Sequence, residues 1–222
     1  MPETVARLLI VDDEPSIRTS MSHVLAEIGY GVRSAEDGFS ALGELRKEIP
    51  DILLSDLNMP GMTGFELLSV VRRRFPVIWT VAMSGLFSGD EVPSGVAAGA
   101  FYQKGSSMGS LLRILEALPR PELMRPTHPK AAEPIWIHPN GHDPAGVGYV
   151  TIACPECLRT FPHPLGNSHG QIRETACIFC RSSIHYAIVE PAGLADGQAF
   201  KWGRGNRAEG KQQPGRVAQL NY

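Results

Sequence analysis

The 222-residue chain has no run of about 18 or more apolar residues, which argues against a membrane-spanning helix. It has no cysteine before position 154, so no disulfide framework can staple its first two thirds. It lacks a charge excess: 21 Lys and Arg stand against 23 Asp and Glu, too even a balance to argue for nucleic acid on electrostatics alone. No glycine-rich phosphate loop follows an expected strand, and no Ser-His-Asp arrangement suggests itself in the back half, so an output enzyme finds no supporting motif. The opening MPETVARLLIVDDE sets acids directly after a short apolar stretch, which argues against a signal peptide and leads us to expect a cytoplasmic protein. What is present is a 43% hydrophobic content, ordinary for a folded chain, and a length that allows one full domain and a smaller second one.

The balanced charge hides an asymmetry. Residues 1–118 carry 10 Lys and Arg against 15 Asp and Glu, whereas residues 119–222 carry 11 against 8. The acidic front alternates short apolar runs with helical patterns: RLLIV before an amphipathic stretch that Gly29 ends, YGVRSA before DGFSALGELRKE, DILLSD before GFELLSVVRRRF, VIWTVAMS before a weak helix around 89–98, and FYQK before MGSLLRILEAL. Five such units predict an α/β fold with a parallel sheet covered on both faces. Seven prolines between 119 and 144 then deny helix and predict a linker over 119–146, within which IWIH reads as a possible edge strand of the second domain. That domain is expected at 147–191 with its own separate core. The Gly-, Gln-, Lys- and Arg-rich residues 192–222 are expected to form a disordered tail.

In an open parallel sheet, ligands bind beyond the carboxyl ends of the strands. Here those ends carry Asp12, Asp13 and Glu14, then Asp56, then Ser84, then Lys104. Acids at strand ends are ordinarily solvated turns or helix caps. Carboxylates gathered from several strands instead repel one another, and a hard divalent cation such as Mg2+ fits them. At these residues the chain resembles the receiver family of bacterial response regulators: VDDE after the first strand, DLNMPGMTGFELL after the third, MSG after the fourth and a lone Lys after the fifth. The resemblance covers about residues 5–118. It implies a flavodoxin-like, doubly wound five-stranded sheet, with Asp56 as phosphoacceptor and Asp13, Asp56 and the Asn58 carbonyl as direct Mg2+ ligands. Asp12 would help through water, Lys104 and Ser84 would act on the phosphoryl oxygens, and the donor would be a histidine kinase or phosphotransfer protein.

Two departures from the family pattern stand out. Gly105 follows Lys104 where the family usually has Pro, and only Phe101, Tyr102 and Gln103 separate Gly99-Ala100 from Lys104, two residues fewer than usual. Phe101 holds the spacing of the switch aromatic, but Tyr102 is a competitor on the opposite face of the strand.

Cys154-Pro-Glu-Cys157 and Cys177-Ile-Phe-Cys180 lie 19 residues apart, within the range of a four-cysteine zinc site. The flanking segments GYVTIA, LRTFPHP, QIRETA and SSIHYAIVE read as short strands, so residues 147–191 resemble a small, β-rich bacterial zinc ribbon. Four thiolates leave no open position for water, which makes the Zn2+ a scaffold. The expected function is a phosphorylation-controlled signalling protein that catalyses only its own phosphorylation and dephosphorylation, with the ribbon docking an output protein. The alternative is a transcriptional or RNA-directed regulator whose ribbon and basic tail touch nucleic acid.

Overall fold

The computed structural model describes residues 4–86, 96–118, 134–137, 141–142, 148–165 and 171–188. The first region contains β1 (Arg7–Val11), α1 (Pro15–Glu27), β2 (Gly31–Ala35), α2 (Gly38–Lys47), β3 (Ile52–Asp56), α3 (Gly64–Arg74), β4 (Trp79–Ser84), β5 (Ala100–Gln103) and α4 (Met108–Ala117). Its five strands run parallel in the order β2-β1-β3-β4-β5, the doubly wound, flavodoxin-like arrangement. Both faces are covered, so the central strand β3 is buried along its whole length. Leu9, Val11, Leu53 and Ala82 pack toward α2 and α3 on one face, and Leu8, Ile10, Leu54 and Met83 toward α1 and α4 on the other.

Local chemistry sets the helix ends. Gly29 takes φ +106 as α1 stops, a conformation open to glycine without strain. Asp37, Thr63 and Ser107 cap α2, α3 and α4 by accepting amide hydrogen bonds from Ser40, Glu66 and Ser110. The weak helix expected at 89–98 lies mostly outside the described residues, and the described part, 96–98, is not helical.

The described residues of the second region hold six short strands: β6 (Ile135–Ile137), β7 (Gly141–His142), β8 (Gly148–Ala153), β9 (Thr160–Pro164), β10 (Ile172–Ala176) and β11 (Ser183–Ile188). They form two three-stranded sheets, β10-β11-β6 and β7-β8-β9. The expected linker therefore contains two strands of the β-rich region: β6 pairs in parallel with β11, and β7 pairs antiparallel with β8. The described residues of that segment, 134–137 and 141–142, hold no helix, and proline flanking is compatible with an edge strand.

The expectation of separate cores does not hold. Ile135 and Ile137 of β6 belong to one continuous buried cluster with Leu67 and Val70 of α3 and with Val150, Ile152 and Cys154. At the rim of this contact, Arg74 Nη1 at the end of α3 lies 3.9 Å from Glu156 Oε2. The tail at 192–222 falls outside the described residues.

Candidate functional site

The reversal of strand order falls between β1 and β3, and the acids flank it. Asp12 follows β1 and is fully buried, Asp13 next to it is exposed, and Asp56 at the end of β3 is 4% exposed. Carboxylate oxygens of the three lie within 4.8 Å of one another. Lys104 reaches in from the end of β5, with Nζ 2.7 Å from Asp12 Oδ2 and 2.6 Å from Asp56 Oδ2. The backbone fixes this convergence: Lys104 N–H donates to the Ser84 carbonyl and Leu57 N–H to the Met83 carbonyl, both at 2.9 Å.

Burial pushes the Asp56 carboxyl above its ordinary range, with the Lys104 ammonium working against that rise. For Lys104, burial disfavours the charge, but its bonds to Asp12 and Asp56 outweigh this and the net movement is upward. Three carboxylates gather at this point, and the two buried ones share one lysine. That is a donor set suited to a hard divalent cation.

Asn58 and Ser84 complete the rim. Asn58 N–H donates to Asp56 Oδ1 at 3.3 Å, and its side-chain amide donates to Ser84 Oγ at 3.2 Å. Ser84 Oγ also accepts from Leu86 N–H at 3.1 Å, so its hydroxyl proton is left to donate. The side-chain link from Asn58 to Ser84 was not foreseen from sequence, where Asn58 was assigned only through its carbonyl. Gly105 takes φ +88, a value closed to proline, so the loop after Lys104 follows a path that Pro could not. Phe101 and Tyr102 are both buried but on opposite faces, Phe101 with Ala82 and Val96, Tyr102 with Met21, Leu25 and Leu111. The Tyr102 hydroxyl donates to the Ser106 carbonyl at 2.9 Å.

The model of the response regulator receiver domain family matches residues 8–114. Residues 8–114 are a receiver domain. It is 37% identical over 92 residues to the DNA-binding transcriptional regulator NtrC of Salmonella typhimurium, covering 41% of this chain and 20% of that protein. The sensor histidine kinase RcsC of the same organism is 40% identical over 78 residues, covering 34% of this chain and 8% of that protein. The solved chemotaxis response regulator CheY4 of Vibrio cholerae aligns with 35% identity and a TM-score of 0.48, over 51% of this chain and 98% of that one. The chain thus spans about a fifth of the length of NtrC.

Behind the receiver, the four cysteine sulfurs also lie within 4.8 Å of one another. Cys154 and Cys180 Sγ are 3.6 Å apart, and Cys157 and Cys177 Sγ 3.7 Å. A tetrahedral ion with sulfur ligands at about 2.3 Å needs sulfur separations of about 3.8 Å, so the cluster fits zinc.

The two CxxC turns repeat one construction. Leu158 N–H donates to the Cys154 carbonyl and Cys154 N–H to the Arg159 carbonyl; Arg181 N–H donates to the Cys177 carbonyl and Cys177 N–H to the Ser182 carbonyl. The residue after each second cysteine is left-handed, Leu158 at φ +57 and Arg181 at φ +65. That costs roughly 1–2 kcal/mol for a residue with a side chain, a strain accepted twice at matching positions. Burial pushes the Cys154 thiol up, while the Ser182 hydroxyl and N–H hold the exposed Cys180 thiol down, to about 6.

One buried group escaped the sequence reading altogether. Glu66 in the first turn of α3 is 0% exposed, neither carboxyl oxygen has a hydrogen-bond partner, and burial raises its carboxyl well above the ordinary range. The available signal was its place four residues before Val70, on an apolar stripe of GFELLSVV.

Proposed function

We propose that the chain is a cytoplasmic response regulator of a two-component system, in which Asp56 accepts a phosphoryl group from a histidine kinase or phosphotransfer protein in a Mg2+-dependent step. The observation that carries this reading is the Lys104 ammonium held 2.6 Å from Asp56 Oδ2, beside the oxygens of Asp12 and Asp13. A carboxylate is a poor nucleophile toward an anionic phosphoryl group until nearby positive charge offsets the repulsion.

On this reading an Asp56 oxygen forms the new bond to phosphorus. The bond from phosphorus to the donor's nitrogen or oxygen breaks, and the leaving group keeps that electron pair. Lys104 stabilises charge on the phosphoryl oxygens, and Ser84 gives its hydroxyl proton to one of them. Asp12, Asp13, Asp56 and the Asn58 carbonyl are the groups that would hold Mg2+, which supplies further neutralisation when bound. The chain then catalyses only its own phosphorylation and dephosphorylation. A kinase donor is supported by the relatedness to a protein named as a sensor histidine kinase.

The cysteine module is a structural zinc ribbon with an output role. Supporting this are Ile178 and Phe179 in its second turn, 62% and 47% exposed, with the Arg159 guanidinium 5.3 Å from the Phe179 ring centroid. An aromatic paired with an arginine is the composition enriched where proteins dock on one another.

The test is labelling by a small acyl phosphate. Asp56 should be labelled only with Mg2+, and Asp56→Asn should abolish labelling. Full labelling of that variant, or undiminished labelling in excess chelator, overturns the assignment.

A further inference from the structure

Helix α3 is held at three points. At its start, Gly64 lies against the phosphoacceptor's own backbone: a Cβ there would come within 1.9 Å of the Asp56 carbonyl oxygen. Gly64 N–H also donates to the Leu57 carbonyl at 3.1 Å, so the helix N-terminus and the loop after Asp56 are a single packed unit. Along its flank runs β6, whose Ile135 and Ile137 share a core with Leu67 and Val70. At its end, Arg74 faces Glu156, which lies between the two cysteines of the first turn.

The burial pattern agrees. Gly64, Glu66, Leu67, Leu68, Val70 and Val71 are the buried positions of α3. At about 100° per residue they sweep roughly 200° of the circumference, about twice the stripe that packing on one surface requires.

The flank contact depends on the ribbon. β6 is three residues long, and its backbone pairs with β11 through Tyr186↔Ile135, Ala187↔Trp136 and Ile188↔Ile137. β11 begins at Ser183, three residues after Cys180. The path from the sulfur cluster to α3 therefore runs through two paired strands, β11 and then β6.

We infer that the four-cysteine module acts as a clamp on α3, so that zinc at Cys154, Cys157, Cys177 and Cys180 sets the order of the helix against which the Asp56 loop is packed. This rests on the zinc reading proposed above. Losing the metal frees the second cysteine turn, then β11, then β6, and exposes the outer flank of α3 while the face packed on the sheet stays covered. Receiver competence becomes subject to metal supply through an internal contact and without a change at any phosphorylation-site residue.

The experiment uses the full chain, reduced, in zinc-loaded and chelator-stripped forms, with metal content and amide hydrogen exchange measured on both. Stripping should speed exchange in α3, residues 66–74, by at least about tenfold, and leave α1, residues 17–27, within about twofold. The clamp is overturned if β8 to β11 exchange freely after stripping while α3 stays as protected as before. Equal loosening of α1 and α3 also overturns it, because that is a global loss of stability. Absence of zinc from freshly purified, reduced protein removes the zinc reading itself, and the clamp with it, a result that metal analysis separates from the other two.

Discussion

The receiver and the ribbon each gather acidic groups into one small volume, and they differ in what holds those groups there. In the receiver, Asp12 and Asp56 stand at the ends of strands fixed by a parallel sheet with apolar layers on both faces, and Lys104 already offsets part of their charge. That scaffold is held by the sheet itself, so on the proposed reading a cation there serves chemistry. In the cysteine region, the described strands are two to six residues long and bury their apolar side chains in a cluster continuous with α3, and the four sulfurs are the point where its two turns meet. A module of that size falls below what a hydrophobic core alone supports. On the proposed zinc reading, a cation there serves the fold. The same ligand-gathering geometry thus has opposite thermodynamic meaning in the two halves.

The largest predicted effect breaks this comparison if it fails. Removing zinc should forfeit the roughly 10–16 kcal/mol of apparent binding free energy that such sites contribute near neutral pH, and β8 to β11 should unfold. Removing Mg2+ should leave the receiver's thermal unfolding nearly where it was and abolish only phosphorylation. Circular dichroism and hydrogen exchange with selective chelators check both arms, and a receiver that melts without Mg2+ would erase the distinction.

How much of this the sequence carried divides along the same line. The receiver's strands and the placement of Asp12, Asp56, Ser84 and Lys104 at strand ends were legible because hydrophobic periodicity and residue position are local signals, whereas the strand order followed only from the family resemblance. The cysteine spacing was equally local. β6 was legible only as a possibility, because a strand of three residues establishes no period. Its packing on α3 was not legible at all. That contact joins segments about 65 positions apart and depends on two surfaces, neither of which announces its partner. Glu66 was lost for a related reason: an acid in the first turn of a helix is ordinarily solvated and favourable, and only the packed structure shows that water is kept from it.

The next prediction sharpens the electrostatic half of the comparison. Lys104→Met should lower the rate of Asp56 labelling by roughly 10²–10³-fold, the usual consequence of removing one pre-aligned group from a developing charge. Zinc content should not change. Equal labelling rates in the variant and wild type would show that Lys104 is a structural partner of the acids and no more.

Glu66 gives a smaller effect with a definite sign. Its folded-state pKa lies well above 4.5, so its contribution to stability is fully present below about pH 4.5 and is lost as pH rises through the raised value. Glu66→Gln removes the ionisation while keeping the shape. Relative to wild type, the variant should gain stability between about pH 5 and pH 8, by about 1.4 kcal/mol for each unit of the shift that falls inside that window. Denaturant titrations at the two pH values measure the difference. A gap between the two proteins that stays constant with pH would mean that Glu66 is ionised in the fold.

The smallest effect concerns how the receiver side reports its own chemistry. Ser84 Oγ sits at the end of β4, fully buried, accepting from Asn58 and from Leu86 N–H. On the proposed reading, a phosphoryl group on Asp56 gives that hydroxyl a charged acceptor, a bond worth roughly 1.5–3 kcal/mol, enough to shift a two-state loop by about tenfold or more. Phe101 starts 3% exposed inside the core shared with α3, so rotating it outward would have to open packed volume first. Ser84→Ala should therefore still be labelled at Asp56 yet lose most of the phosphorylation-dependent change in hydrogen exchange over residues 84–86 and 96–105. Phe101→Ala should lose less of that change, although its cavity costs more overall stability. If the Ser84 variant responds as wild type does and the Phe101 variant falls silent, the signal runs through the aromatic side chain, and the two residues missing before Lys104 have not altered the switch.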